Sequence, residues 1–267
     1  MEITIRFDPH ITVKILIVSL ILFLSSIYSQ TNDSWMINVE LGIPTDSDPT
    51  DDFLIKRKQY VISYNKNKNV ANWASWNLNK KWYGKYNRVS GFKPEYELPN
   101  NYHKVTTRDY TNTGYDRGHI VASKDRSNST TNNKATFLMS NIYPQEPDLN
   151  QGPWKQLEEY CRKLCLRNNK ELYVIAGGVF STAKKLDNDI AIPDSCYKII
   201  VILRRYETPK AITENTEVIA VMMPNESGIK KVKWETYETT VDNIEISSGY
   251  DFFSDLPTRI QDALERK

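Results

Sequence analysis

Asp116-Arg117-Gly118-His119, Ser140-Asn141-Ile142-Tyr143-Pro144-Gln145, Asp148-Leu149-Asn150 and the run Pro153 to Asn168 follow one another with short gaps between them. In the last run, Trp154, Leu157, Cys161, Leu164 and Cys165 share an arc of about 100° on a helical wheel, which predicts an amphipathic helix. Glu158 falls about 40° from Trp154, inside or beside that arc, and Glu159 about 140° away, off it. A carboxylate on the packed side needs a partner, because burying an unpaired charge is costly. That partner is either a Lys or Arg in a structural ion pair, or a basic residue or hydrated cation of a working site. Asn150 lies eight residues before Glu158. A helix starting near Asn150 would point both side chains toward one region, with Pro153 tolerated in its first turn.

The tetrapeptide upstream packs an acid, a guanidinium and an imidazole together, with Gly118 admitting backbone geometry that a side chain would forbid. By itself it reads equally as a surface ion pair beside a turn histidine. Further upstream, Tyr60 to Tyr64 reads as a strand, Asn65 to Asn69 as a polar turn, and Val70 to Leu78, with Trp73 and Trp76, as the returning strand of a hairpin. Residues 84–115, rich in Gly, Pro, Asn and Tyr, read as irregular. Downstream, Glu171 to Ala176, Tyr197 to Leu203 and Val218 to Met223 are short Val- and Ile-rich runs that predict three more buried strands. No repeat, low-complexity block or linker interrupts the chain. The fold class expected is α+β: a single domain with a central, mostly antiparallel sheet flanked by helices.

Composition narrows the function. The net charge of +2 is unremarkable, but its distribution is not. Residues 56–134 hold sixteen Lys and Arg against five Asp and Glu, a net +11, and residues 135–267 hold seventeen against twenty, a net −3. A basic stretch of this kind either attracts a polyanion or simply keeps the surface solvated. Beyond His10 the chain has only His103 and His119, too few for a histidine-rich metal cage. Cys161, Cys165 and Cys196 lack zinc-ligand spacing and neighbours. Their odd count leaves at least one thiol unpaired within the chain, and buried inert thiols account for the pair at 161 and 165.

At the N-terminus, Arg6 and Lys14 precede an apolar run from Ile15 to Ile27, followed by polar residues from Ser29. This run of thirteen residues, three of them Ser, is short of the roughly twenty that span a bilayer, and it suits the core of a signal peptide. An uncleaved anchor is the competing reading. The division expected is a signal peptide at 1–29, a loop-rich lead-in at 30–55 with Pro44, Pro49 and five Asp, and the domain proper at 56–267.

The four motifs, in this order and at these spacings, resemble the DNA/RNA non-specific endonuclease family, which includes endonuclease G and secreted bacterial nucleases indifferent to the sugar. The resemblance runs from about Trp35 to the end of the chain and takes in Asn72-Trp73 and Gly249-Tyr250-Asp251-Phe252. It implies a ββα-metal active-site core, with His119 as general base, whose ordinary pKa near 6.5 suits proton abstraction at neutral pH. It implies Asn150 as the single protein ligand of a magnesium ion, with manganese as a substitute, and waters completing the shell. Glu158 then holds water of that shell. Arg88, in Asn87-Arg88-Val89-Ser90-Gly91-Phe92, resembles the family arginine that clamps the scissile phosphate through paired donors. Lys85 and Lys93, among Tyr and Trp residues, would carry the strand by charge and stacking. Arg117 is expected to contribute charge, Asn141 to fix the phosphate or the local backbone, and Asp116 to orient.

The reaction implied is in-line attack of water on phosphorus in DNA and RNA, leaving 5′-phosphate and 3′-hydroxyl ends, with little sequence information because binding runs through phosphates. The protein is expected to be secreted or periplasmic, without stable membrane association once the signal is removed, and to have a cognate protein inhibitor as a candidate partner. The alternative from another class is a catalytically inactive, nuclease-like domain that binds nucleic acid or protein. The presence of His119, Asn150 and Glu158 together argues against it. His103 falls outside every motif and reads as a surface histidine.

Overall fold

The computed structural model describes residues 34–86 and 88–267, so the expected signal segment at 1–29 lies outside the described residues. In chain order the strands are β1 (Phe53–Lys56), β2 (Val61–Asn65), β3 (Val70–Leu78), β4 (Asp116–His119), β5 (Ile142–Gln145), β6 (Lys170–Val179), β7 (Ser195–Arg204) and β8 (Glu217–Pro224). The helices are α1 (Thr130–Ala135), α2 (Pro147–Asn150), α3 (Pro153–Arg167), α4 (Val241–Ser248) and α5 (Thr258–Glu265), with short 3-10 turns between them. Among the described residues none of these is long and apolar enough to cross a membrane.

Six strands form one antiparallel sheet in the order β1-β2-β3-β6-β7-β8, and β4 and β5 pair separately as a two-stranded ribbon. The β2–β3 hairpin closes as its polar residues require. Asn65 Oδ1 accepts hydrogen bonds from the Asn67 and Lys68 amides at 2.9 and 3.1 Å, an Asx-type turn. Asn69 completes it at a φ of 55°, a left-handed conformation that asparagine tolerates.

The sheet is covered on both faces, which explains why its strands read as continuous Val and Ile runs rather than as alternating patterns. On one face Trp76, Val174, Ile200 and Val221 pack against Trp154, Leu157, Cys161 and Cys165 of α3 and against Ile142 and Tyr143 of β5. On the other, Val61, Trp73, Ile175, Ile199 and Val201 pack against Val39, Leu41, Val241, Ile244, Phe252 and Leu264. Side chains alternate along β3, so Trp73 and Trp76, an odd number of residues apart, part company: Trp73 faces the second layer and Trp76 the first.

The boundary expected at residue 56 is not a boundary of packing. β1 already begins at Phe53. Asn38 donates from its amide to the Arg57 and Lys58 carbonyls at 3.1 and 3.2 Å and accepts from the Asn77 amide at 3.1 Å. Two of the matched motifs meet at the same edge. Asn72 Nδ2 and the Tyr250 hydroxyl both donate to Asp52 Oδ1, at 3.1 and 2.9 Å, so these residues tie the lead-in and the C-terminal segment to the sheet.

Candidate active site

β4 and β5 pair over four residues each, Asp116 opposite Gln145 and His119 opposite Ile142. A ribbon this short has little backbone pairing to hold it, and side chains supply the rest. Asn141 is fully buried; its amide donates to the Val121 and Thr136 carbonyls at 3.0 and 2.9 Å, and its Oδ1 accepts from the Val121 amide at 2.9 Å. Trp154 Nε1 donates to the His119 carbonyl at 3.3 Å, fastening α3 to the end of β4. Gly118 is required by space and not by backbone conformation, because a Cβ there would overlap the Gln145 side chain.

His119 is 8 % exposed. Its ring lies 5.4 Å from that of Phe92 and 5.0 Å edge-on from that of Phe137. Arg88, exposed, places its guanidinium 4.9 Å from the Phe137 ring centre. Burial, and then the Arg88 charge, push the imidazole down from 6.5 to about 3. The ring is therefore neutral across the physiological range, well below the ordinary value that the sequence suggested. Nε2 is buried with no hydrogen-bond partner among the described residues. Beside this cluster opens a cleft of about 470 Å³ lined by Lys85, Tyr86, Arg88, Ser123, Lys124 and Asn133, among others. It gathers part of the basic stretch onto one wall and includes an exposed tyrosine.

At the start of β4, Asp116 Oδ2 accepts from Asn150 Nδ2 and from Gln151 Nε2, both at 2.8 Å. The carboxylate thus sets which way the Asn150 amide faces, and among the described residues no donor occupies Asn150 Oδ1. Asn150 ends α2 and Glu158 belongs to α3, so the single helix expected to carry both is two helices. The break falls at Gly152, where a Cβ would collide with the Asp148 and Lys230 backbone.

Three other expected residues go elsewhere. Arg117 donates to the Thr107 carbonyl at 2.6 Å and lies over the Tyr110 ring, with Nε buried and unpaired among the described residues, so its charge is anchored to the irregular 84–115 segment. Asn141 has its amide saturated by backbone, which makes it a positioning residue and leaves it no donor for a phosphate. Glu158, half-buried, faces a charged cluster. Burial pushes it up to about 7, Lys198 and Arg162 oppose this, and Asp125 reinforces it. Among the described residues no hydrogen bond joins it to Asn150.

That cluster was not visible in the sequence. Lys198 is 2 % exposed and lies 4.0 Å from the Trp154 ring centre. Asp125 accepts from the Tyr83 hydroxyl at 3.2 Å and stands 4.0 Å from Arg162. Equally unforeseen is Glu95, which receives Arg57 through two bonds of 2.8 Å and the Ser140 hydroxyl at 2.7 Å, pinning the irregular segment to the site. Arg126, fully buried, spends its charge on the Gln59, Asn77 and Asp125 carbonyls, so not every basic residue of the 56–134 stretch faces a ligand. All three cysteines are free and buried, and burial pushes Cys161 and Cys196 up to about 12. His103 is largely exposed, 3.9 Å from Asp109.

A short ribbon followed by a broken helix, with a neutral imidazole beside a basic cleft, outlines a hydrolase for a phosphate polymer. The chain belongs to the DNA/RNA non-specific endonuclease family, whose sequence model matches residues 39–259. It is 40 % identical, over 94 % of its length and 95 % of the relative's, to a protein named nuclease from Nostoc sp.. It is 29 % identical to mitochondrial endonuclease G of Bos taurus over 77 % of this chain and 71 % of that one. Nuclease C1 of Cunninghamella echinulata is likewise 29 % identical, over 77 % of this chain and 84 % of that one. In fold it matches the crystal structure of the EndoG/EndoGI complex, a study of EndoG inhibition, with a TM-score of 0.69 at 23 % identity over 83 % of this chain and 92 % of that one. The chain is accordingly a nuclease.

Proposed function

We propose that this nuclease is a secreted, magnesium-dependent phosphodiesterase that cuts DNA and RNA without sequence preference and leaves 5′-phosphate ends, with His119 as its base. The observation that carries this reading is the buried, neutral imidazole of His119 packed beside Arg88 at a basic cleft. A neutral imidazole has a lone pair for a proton, and Arg88 can hold a phosphate oxygen through its paired donors. A phosphate bound to Arg88 cancels the charge that helps hold His119 low. Substrate arrival therefore moves the base upward, toward the range where it accepts a proton more readily. Phe92 and Phe137 exclude bulk water from the ring.

Asn150 fits a hard divalent ion: its Oδ1 is an uncharged oxygen left without a donor, oriented by the bond from Nδ2 to Asp116. Such an ion, commonly keeping several waters, would supply charge stabilisation at the phosphate and leaving oxygen. Manganese suits the same oxygen chemistry. Asp116 orients Asn150, Asn141 fixes the turn after β4, Arg117 anchors the strand, and Glu158 positions through its charged cluster. Secretion is supported by Arg6, Lys14 and the apolar run from Ile15 to Ile27. The inhibitor in the structural neighbour's complex makes a protein inhibitor a reasonable partner here as well.

The test is incubation of the protein lacking residues 1–29 with plasmid and with RNA, in magnesium and then in chelator, followed by 5′-end analysis. The expected result is chelator-sensitive cleavage of both polymers, with ends that require phosphatase before a kinase can label them. Folded protein that cuts neither polymer in magnesium contradicts the proposal.

A further inference from the structure

Far from His119, the two C-terminal helices bring three acids together. Asp242 and Glu245 lie on α4, one turn apart, and Glu265 ends α5. Each can offer an oxygen such that the three lie within 4.8 Å of one another. The nearby cations are engaged elsewhere: Arg266 reaches Asp262, Arg259 reaches Glu214, and Lys267 Nζ donates to the Glu214 and Thr216 carbonyls. Glu265 is 8 % exposed, and its Oε1 is buried with no hydrogen-bond partner among the described residues. A buried carboxylate oxygen without a partner, on a side chain grouped with two other acids, is a place where a positive group would be held.

We propose that Asp242, Glu245 and Glu265 form a second cation site, of calcium chemistry, that ties α5 to α4. The donors are all oxygens, which excludes the softer metals. Calcium takes six to eight oxygens in adaptable geometry, as three carboxylates from two helices require, whereas magnesium demands a near-ideal octahedron. The helices bearing the site pack on the sheet face opposite α3 and the β4–β5 ribbon. The site is therefore separate from that at Asn150 and structural in its effect. Val241 N already donates to the Lys267 carbonyl at 3.2 Å, and the cation adds a second link across the same junction.

The test uses the full domain with Asn150→Ala, so that the ion proposed at Asn150 does not contribute. Thermal unfolding is followed in chelator and in about 2 mM calcium, and terbium luminescence titrations are run in parallel. For a ligand that binds the folded state well below that concentration, a rise of about 5 °C is expected. The rise and the tight terbium signal should vanish when Glu245→Gln and Glu265→Gln are added. That variant should melt no lower than its parent in chelator, since the mutual repulsion is gone. Asp242→Asn, at a less buried position, should weaken terbium binding by at least tenfold and serves if the double variant does not fold. An equal calcium response with and without the carboxylates, or none in the parent, overturns the site. An equal response to magnesium overturns its assignment to calcium.

Discussion

The six-stranded sheet and the β4–β5 ribbon are both antiparallel, yet they are held by different means. β6 and β7 pair over ten residues each and are buried on both faces by aliphatic side chains. β4 and β5 pair over four, contain Gly118 and Pro144, and depend on Trp154 and Tyr110 reaching their backbone and on Asn141 holding Val121 just past the end of β4. The sheet is a product of pattern, in which many near-equivalent residues each contribute a share of apolar burial. The ribbon is a product of individual side chains, each doing something its neighbours cannot. Substitutions in the sheet should therefore cost stability and spare the chemistry, and those around the ribbon should do the reverse.

The largest separation is expected for His119→Ala, with turnover down about 10³- to 10⁴-fold at neutral pH and circular dichroism unchanged. Near-native turnover would show that the base is another residue. On the sheet side, Ile200→Ala should lower unfolding free energy by about 4 kcal/mol in denaturant titration while leaving kcat/KM intact below the melting range. A loss of turnover in the still-folded variant would mean the two regions are coupled. Next, Asn150→Ala should reduce the rate about 10²- to 10³-fold and shift the magnesium dependence to higher concentration. Asp116→Asn should do the same more weakly, because an amide is a poorer acceptor for Asn150 Nδ2. An unchanged magnesium response in both would place the ion elsewhere.

Arg88→Ala should cost about 10²-fold in kcat/KM, mostly through substrate binding. It should also raise the His119 imidazole toward 6.5 in an NMR titration, and a fall would contradict the contact between them. The smallest effect concerns stability against pH. The folded value of His119, about 3, lies below the ordinary 6.5. Above 6.5 neither state holds a proton. Below it the unfolded chain takes one that the folded chain refuses, so stability is lost as pH falls from 6.5 toward 3. Between pH 7 and 5 the protein should lose about 2 kcal/mol more than His119→Phe does. Equal losses would indicate that the ring is not held neutral.

The same contrast explains what could be read from the sequence. β3, β6, β7, β8 and α3 were legible because a continuous apolar run, or in α3 an apolar periodicity, is a property of many residues and survives local noise. The chemistry proposed at His119 and Asn150 rests, in the sequence, only on several motifs in a fixed order. β4 and β5 carry no periodicity, and Asp-Arg-Gly-His gives no hint that Arg117 turns toward Thr107 while His119 sits between two phenylalanines. The break at Gly152 was hidden because Pro153 is compatible with either one helix or a new one. Lys198 sits in a Val- and Ile-rich run, and a buried cation there has no signal except its position on a covered strand. The low pKa of His119 likewise depends on Arg88 and Phe92, which the fold brings in from the irregular 84–115 segment, and on Phe137 in the turn after α1.

The central claim is that His119 removes a proton from the attacking water, and chemical rescue tests it most directly. Single-turnover cleavage of plasmid and of RNA would be timed for the natural protein and for His119→Ala, in magnesium, with and without added imidazole. Imidazole is expected to restore part of the lost rate in the variant, with no gain in the natural protein. A variant that cuts at the natural rate without imidazole would contradict it.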